Sequence, residues 1–263
     1  MSRQVIAFLT DFGTRDHYAG AMRGVVLDTC PDATLVDITH DIAPHDVLGG
    51  ALELLASYRY FPSGTTFLVV VDPGVGTSRR GIAAAAAGYT FVGPDNGVLA
   101  PVLAELGSAK VVELTSCRYA RATVSRTFEG RDRFAPAAAW LAKGVALTAL
   151  GSGVTHWERL ALPEVALKNG ALEGEVIRVD RFGNLVTNIS RQDFEQAAQG
   201  GSIELSAAGH VIAKVVTTYG EVEDGVVCAL FGSAETLEVA VSGGSAAERL
   251  GLGRGAAVTI RRV

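Results

Sequence analysis

The stretch VVVDPGVGTSRRG, residues 69–81, ends a run of valines abruptly at Asp72. The chain then turns through a proline and two glycines and brings Arg79 into the same loop, seven residues after the carboxylate. A continuous β-branched run is typical of a strand that is buried on both faces of a parallel sheet. An acid and a guanidinium beyond such a strand form either an ion pair that stabilises the loop or a pair that activates or orients a small nucleophile.

Around this stretch, the first part of the chain alternates short apolar runs with segments whose apolar residues are spaced as in amphipathic helices. The predicted strands are residues 5–10, 34–39, 66–71 and 89–93, and the predicted helices are residues 17–28 and 46–57. Apolar strands separated by helices indicate a mostly parallel sheet with helices on both faces. We therefore predict an α/β domain over residues 1–160.

The pattern changes from about residue 171, where short alternating strands are separated by glycine-rich turns. Helical periodicity largely disappears, which indicates a small all-β, barrel-like domain over residues 171–263. The stretch ALPEVALKNG, residues 161–170, is the predicted linker between the two domains.

Composition excludes several classes of protein. Among 263 residues, 28 Asp and Glu stand against 23 Lys and Arg, with no block of like charge, so no nucleic-acid partner is expected. Three dispersed cysteines without ligand spacing predict reduced thiols in a cytoplasmic protein and no zinc site. No apolar run approaches the roughly 18 residues of a membrane span, and the N-terminus lacks the pattern of a signal peptide, so neither membrane insertion nor export is expected.

Polar residues follow the predicted strands: Asp11 after the first, His45 after the second and Asp72 after the third. Because ligands bind outside the carboxyl ends of the strands in open α/β sheets, one cleft is predicted there. Asp11 either caps a turn or helix or binds a sugar diol with its two oxygens. His40 and His45 lack a third residue with ligand spacing, which favours pocket lining by His45 over metal binding.

The stretch TFEGRDRFAP, residues 127–136, places Glu129 just before a helix that is predicted to begin near Asp132. Asp132 is expected to cap that helix or to lie in its first turn. Glu129, between a phenylalanine and a glycine, is either exposed to solvent or directed into the cleft. The sequence alone leaves both placements open.

The stretch VDRFGNLVTN, residues 179–188, gathers Asp180, Phe182 and Asn184 around Gly183. A hairpin explains the glycine. It does not explain an aromatic residue flanked by hydrogen-bonding groups, which fits better with Phe182 stacking on a base.

Six motifs, taken together and in order, resemble those of the S-adenosyl-L-methionine (SAM) hydrolases, also called SAM hydroxide adenosyltransferases, whose relatives include the SAM-dependent fluorinase and chlorinase. They are LTDFG, DITHDI.P.D, VDPGVGT.RR, GPDNG, GRD.FAP and D.FGN..TNI, and they cover nearly the whole chain. The resemblance implies an α/β domain joined to a β-barrel, and a homotrimer that holds SAM between one subunit's large domain and its neighbour's small domain. It implies hydrolysis of SAM to adenosine and methionine, with no cofactor and no metal.

The resemblance also implies roles for individual residues. Asp11 looks like the family's ribose-binding carboxylate, and His45 occupies the place of an aromatic pocket wall. Asp72 and Arg79 match two members of the water-activating triad, whose third member, usually histidine, is here Glu129. The implied adenine and methionine contacts of the small domain are Asp180, Phe182, Asn184, Ser233, Glu238, Val241 and Ala246.

The residue types bear on which nucleophile attacks the ribose. A halide arrives as an anion, and a carboxylate about 4 Å away at an effective dielectric constant of about 20 opposes it by on the order of 4 kcal/mol. Asp72, where halogenating relatives carry an uncharged residue, therefore argues against a halogenase. In the predicted mechanism Arg79 positions a water and either Asp72 or Glu129 accepts its proton. The alternative is a SAM- or adenosine-binding protein with an impaired triad.

Overall fold

The computed structural model describes residues 4–263, and the chain divides into two compact units between Ala161 and Leu162. The first unit has two hydrophobic cores and the second unit has its own. Within the described range, no helix is both long and apolar enough to cross a membrane.

The first unit contains a six-stranded sheet with the spatial order β2-β1-β3-β5-β4-β6. Its strands are β1 (Val5–Thr10), β2 (Thr34–Thr39), β3 (Thr66–Val70), β4 (Gly81–Ala86), β5 (Tyr89–Pro94) and β6 (Lys110–Glu113). The pairings from β2 to β5 are parallel, whereas β4 is antiparallel to both of its neighbours. The sheet is therefore mixed, and the predicted parallel arrangement holds for four of the strands.

The reversal of β4 follows from a tight hairpin. Ala87 and Gly88 connect β4 to β5, with φ angles of 47° and 85°. Two successive residues with positive φ form the turn that best matches the twist of a two-residue hairpin, so the chain returns beside itself without a crossover helix.

Helices cover both faces of this sheet, as predicted. They are α1 (Tyr18–Thr29), α2 (Val47–Ser57), α3 (Ala100–Leu106) and α4 (Ala135–Ala142), with a π-helical turn, Gly130–Phe134, directly before α4. Side chains of adjacent strand residues point to opposite faces, so Phe8 and Leu9 of β1 belong to two different cores. Phe8 packs in the core shared with α1 and α4, and Leu9 in the core shared with α2 and α3.

Two neighbouring parallel strands position the predicted catalytic loop. Thr10 at the end of β1 lies opposite Val70 at the end of β3. The residues that follow, Asp11 and Asp72, therefore leave the sheet at the same edge, as expected for the carboxyl ends of parallel strands.

The second unit is a curled antiparallel sheet with the order β11-β10-β14-β8-β9-β13-β12, and β7 pairs with β8 beside this path. Its strands are β7 (Ala166–Lys168), β8 (Ala171–Val179), β9 (Leu185–Ser190), β10 (Ile203–Ala207), β11 (His210–Val211), β12 (Val227–Phe231), β13 (Thr236–Val241) and β14 (Ala257–Arg262). Beyond β11, Ala229 of β12 accepts a hydrogen bond from Val216 N and donates one to Lys214 O. These bonds bring the two ends of the strand path together, so the sheet forms a half-barrel.

Two features of this unit differ from the prediction. It contains two short helices, α5 (Arg191–Ala198) and α6 (Ala246–Leu250), so it is not all-β. The helices begin at serine caps: Ser190 forms a capping box with Asp193, and Ser245 accepts from Glu248 N. The segment predicted as a linker, residues 161–170, contains strand β7.

Candidate active site

The acid and the guanidinium after β3 form a direct ion pair. Arg79 Nε donates to Asp72 Oδ1 at 2.9 Å, and Arg79 Nη2 donates to Asp72 Oδ2. Both side chains are largely buried, with 6% of Asp72 and 9% of Arg79 exposed. A bidentate arginine–carboxylate pair of this kind is a strong, orienting contact.

Glu129 belongs to the same cluster. Arg79 Nη2 also donates to Glu129 Oε2, at 2.5 Å, so one guanidinium joins two carboxylates. Burial by itself lowers the pKa of Arg79, but hydrogen bonds and charges from Asp72 and Glu129 outweigh it and raise that pKa above its usual value. Glu129 therefore lies in the cleft, and Arg79 stays cationic.

The π-helical turn that follows Glu129 packs against the cluster and anchors the loop before it. Phe134, within this turn, lies beneath Arg79, whose Cζ is 5.2 Å from the centre of the ring. Asp132, in the same turn, is fully buried and accepts from Ser125 N at 2.9 Å and from Arg131 Nε at 2.7 Å. Burial alone raises the pKa of Asp132, but these partners hold it below its usual value. Asp132 thus lies in the first turn, as predicted, and anchors the preceding loop rather than its own helix.

Asp72 and Glu129 of this cluster line a cavity of about 310 Å³. Its walls combine three carboxylates with aromatic rings. The acids are Asp11, Asp72 and Glu129, and the rings are Phe12, Tyr18, Phe128 and the imidazole of His45. The centre of the Phe128 ring lies 6.0 Å from that of Phe12 and 5.2 Å from that of Tyr18. Such a cavity suits a ligand with hydroxyl groups and positive charge.

The two histidines of the DITHDIAPH stretch have separate roles. His45 lines the cavity, and its backbone N donates to Asp11 Oδ2 at 2.8 Å. His40 is buried: its Nδ1 pairs with Thr10 Oγ1 at 2.7 Å and its Nε2 with Asp37 Oδ1 at 3.1 Å. His40 O also accepts from Gly13 N at 2.7 Å, so this histidine supports the loop that carries Asp11.

The second unit contains a larger cavity of about 860 Å³. The predicted residues among those that line it are Asp180, Phe182, Asn184, Ser233, Glu238 and Val241. Ala246, also predicted as a substrate contact, is fully buried in the core of this unit and is absent from the cavity lining. Tyr219, which the sequence reasoning missed, lies in the wall.

Asp180 builds the loop that presents the aromatic residue. Its Oδ1 accepts from Phe182 N at 2.9 Å and from Asn184 N at 2.8 Å, and its Oδ2 accepts from Asn184 Nδ2 at 2.9 Å. Gly183 is required at the apex because its φ is 84° and a Cβ there would collide with Ser245. Phe182 is left 77% exposed, which makes its ring available for stacking.

Glu238 is the most buried acid of this second cavity. It is 8% exposed, and Tyr219 OH approaches its Oε2 at 3.4 Å. Burial and the charge of Asp180 raise the pKa of Glu238, whereas Arg178 and Tyr219 act to lower it. Burial and the charges of Glu238 and Asp180 likewise raise the pKa of Tyr219. Glu238 is thus a buried acidic group in the cavity wall that could pair with a cationic or hydrogen-bonding group of a ligand.

Comparison with known proteins agrees with this architecture. The family models described as the SAM hydroxide adenosyltransferase N-terminal and C-terminal domains match residues 6–151 and 174–259. A protein of Thermus thermophilus named (R)-S-adenosyl-L-methionine hydrolase is 42% identical over 97% of this chain and 98% of its own length. A protein of an Actinoplanes species named fluorinase is 33% identical over 76% of each chain. A crystal structure titled as an uncharacterized conserved protein from Thermotoga maritima superposes with a TM-score of 0.90 at 36% identity, covering 98% of this chain and 100% of the other.

The fold and the cluster of two acids and a guanidinium define a protein with an α/β unit, whose sheet has an acidic cleft at its carboxyl edge, and a second unit built on an antiparallel half-barrel. The chain belongs to the SAM hydroxide adenosyltransferase family.

Proposed function

We propose that this protein is an enzyme that hydrolyses SAM to adenosine and L-methionine. The observation that carries the proposal is the contact of Arg79 with both Asp72 and Glu129 at the wall of a cavity that also contains Asp11. The Thermus relative, named as a SAM hydrolase, matches nearly the whole chain.

In the proposed reaction a water oxygen attacks C5′ of the ribose. The C5′–S bond breaks, its electron pair stays on sulfur, and neutral methionine leaves. The proton of the water passes to a carboxylate of the cluster, which is Asp72 or Glu129. Because the sulfonium is a cation, an acidic cavity that excludes bulk water strengthens its binding and its reaction with hydroxide.

The same charges oppose halide as the nucleophile. Asp72 and Glu129 both line the cavity, whereas the two arginines that pair with them, Arg79 and Arg133, are absent from its lining. A halide about 4 Å from one carboxylate is opposed by on the order of 4 kcal/mol at an effective dielectric constant of about 20. Water, which becomes acidic as it attacks, benefits from a nearby base.

A binding protein without turnover is the second candidate, because Glu129 replaces the usual histidine of the triad. The contact of Glu129 with Arg79 argues against this second candidate. Glu129 reaches the guanidinium at 2.5 Å and faces the cavity, as a functioning third member would.

We infer Asp11 as the ribose ligand and the cavity of the second unit as the site for adenine and methionine. Phe182 would stack on the adenine, and Glu238 and Asn184 would face polar groups of the substrate. We further propose a homotrimer that holds SAM between subunits, on the basis of the resemblance of the six motifs. The mass of the particle in solution tests the trimer directly.

We also propose a cytoplasmic location. All three cysteines are unpaired thiols, as expected in a reducing compartment.

Incubation of the purified protein with the (R) and (S) sulfonium epimers of SAM, supplied separately in chloride buffer, tests the function. We expect adenosine and methionine in equal amounts from at least one epimer. Formation of 5′-chloro-5′-deoxyadenosine instead would establish a halogenase, and calorimetric binding without product would establish a binding protein.

A further inference from the structure

Glu129 lies between two guanidinium groups. Arg79 Nη2 donates to its Oε2, and Arg133 Nε lies 3.5 Å from its Oε1. Arg133 is held in place from its other end, because its Nη1 donates to Leu114 O at 2.7 Å. The Nε of Arg133 is buried and donates no hydrogen bond to any residue of the described range. The contact with Glu129 is thus an ion pair without a hydrogen bond.

The two acids of the cluster differ in what their oxygens contact. Both oxygens of Asp72 are hydrogen bonded to Arg79, through Nε and Nη2. Glu129 gives only Oε2 to Arg79, and its side chain is 17% exposed against 6% for Asp72. Oε1 of Glu129 is therefore the carboxylate oxygen better able to accept a hydrogen bond from a water in the cavity.

The geometry points to Glu129 as the proton acceptor of the reaction and to Arg133 as the positioning residue that holds Glu129 for this task, an assignment that rests on the proposed function. The water oxygen forms its bond to C5′ as the C5′–S bond breaks and the electron pair stays on sulfur. The water proton moves to Oε1 of Glu129 and is later released to solvent. Asp72 serves to orient Arg79.

Charge balance explains why Arg133 is needed. Asp72 and Glu129 carry two negative charges and Arg79 carries one positive charge, so the cluster without Arg133 has a net charge of minus one. Arg133 supplies the second positive charge at the oxygen that Arg79 does not reach. The carboxylate of Glu129 is thereby held from both sides, by Arg79 at Oε2 and by Arg133 at Oε1.

The backbone leaves room for this arrangement. A Cβ at Gly81, the first residue of β4, would lie 2.6 Å from Phe134 Cε1 and 3.4 Å from Arg133 Cδ. Phe134 in turn packs beneath Arg79. The missing side chain at Gly81 thus lets both Arg133 and Phe134 approach the cluster.

Steady-state hydrolysis of SAM by variants of the full chain tests the role of Arg133. We expect Arg133→Gln to lower kcat roughly tenfold with little change in KM, because the residue acts on the base and not on the substrate. Arg133→Lys should restore part of kcat, since it returns the charge. Arg59→Gln is the matched control: Arg59 is 54% exposed, pairs with Glu105 at 2.9 Å and is absent from the cavity lining. Equal kcat values for Arg133→Gln and Arg59→Gln would overturn the assignment.

A double-mutant cycle separates positioning from folding. In the Glu129→His background, Arg133→Gln should change kcat by less than about twofold, because the carboxylate that Arg133 holds is gone. An equal loss in both backgrounds would indicate a structural role for Arg133 and contradict the proposal. Thermal unfolding of each variant shows whether it is folded at the assay temperature.

Chemical rescue identifies which acid accepts the proton. Glu129→Ala should lose roughly a hundredfold or more in kcat, and added formate should restore part of it by replacing the missing base. Asp72→Ala should show no such rescue, because formate cannot orient Arg79 as the tethered carboxylate does. Rescue of Asp72→Ala alone would assign the proton acceptor to Asp72 and overturn the proposal.

Failure of this inference can be distinguished from failure of the proposed function. If the unaltered protein forms no adenosine from either epimer, the proposed function and this assignment fall together. If it hydrolyses SAM but the variants behave against expectation, only the roles of Glu129 and Arg133 fall.

Discussion

The backbone N of His45 donates a hydrogen bond to Asp11 Oδ2 at 2.8 Å, across a separation of 34 residues. His45 makes this contact with a φ of 67°, a left-handed conformation that few residues other than glycine adopt. The loops that follow β1 and β2 are therefore joined at the wall of the cavity, and the carboxylate of Asp11 is oriented before substrate arrives.

Asp11→Ala should weaken substrate binding more than it slows the chemical step. Hydrogen bonds to a charged group contribute about 1.5–3 kcal/mol, so KM for SAM should rise roughly 10- to 100-fold if Asp11 holds the ribose. Asp41→Ala is a suitable control, because Asp41 is exposed in a neighbouring loop and is absent from the cavity lining. Equal KM values for the two variants would show that Asp11 does not bind the substrate.

The backbone of His45 can be tested separately from its side chain. Both His45→Gly and His45→Ala remove the imidazole from the cavity and keep the N–H that Asp11 accepts. Since an L-residue in the left-handed region is opposed by about 1–2 kcal/mol, we expect the glycine variant to unfold with a higher free energy than the alanine variant by about 1 kcal/mol. Urea unfolding of both proteins measures the difference, and a more stable alanine variant would contradict it.

Removing Arg79 should damage folding as well as turnover. Arg79→Gln leaves Asp72 and Glu129 facing each other in a largely buried cluster, with 6% and 17% of their side chains exposed. Loss of one partner from such a buried arrangement costs about 3–5 kcal/mol. Arg79→Lys should fold better yet remain poorly active, because one ammonium cannot form the two-pronged contact with Asp72. If Arg79→Lys kept the stability and activity of the unaltered protein, the positive charge at position 79 alone would be sufficient.

Glu238 should lower the stability of the protein at neutral pH. Its pKa is raised above the ordinary 4.5 in the folded state, so the folded protein binds the proton more tightly than the unfolded chain. Its contribution to stability is fully present below pH 4.5 and is lost as the pH rises through the higher, folded value.

Glu238→Gln should therefore increase the free energy of unfolding at pH 7, with an advantage that disappears below pH 4.5, while it weakens SAM binding. Urea unfolding at pH 7 and at pH 4 measures the first effect, and calorimetry measures the second. Glu204→Gln, an exposed position on β10, is the control. A glutamine variant that is less stable at pH 7 would refute the expected sign.

The sequence predicted those parts of the site that depend on the ends of strands. Asp11 and Asp72 follow apolar runs directly, so the parallel pairing of β1 with β3 was enough to bring them to one edge. The placement of Glu129 required the structure, because it depends on the contact with Arg79 from a segment 50 residues away.

The remaining differences also have local physical causes. The reversal of β4 depends on a positive φ at Ala87, a conformation that alanine rarely adopts. The residues of the turn therefore did not predict a hairpin. Tyr219 reaches the second cavity from a single 3-10 turn, Tyr219–Glu221, which is too short to give a periodic pattern in the sequence. The approach of Arg133 to Glu129 depends on a π-helical turn, for which the sequence has no clear signal.

Gly232, in the wall of the second cavity, lies against the side chain of Glu238. The carboxylate of Glu238 occupies the space that a Cβ at position 232 would need, so a side chain there and the glutamate in its present place exclude each other. An alanine at position 232 would therefore turn the carboxylate of Glu238 out of its present place, so the bare backbone of Gly232 keeps that acid where it lines the second cavity.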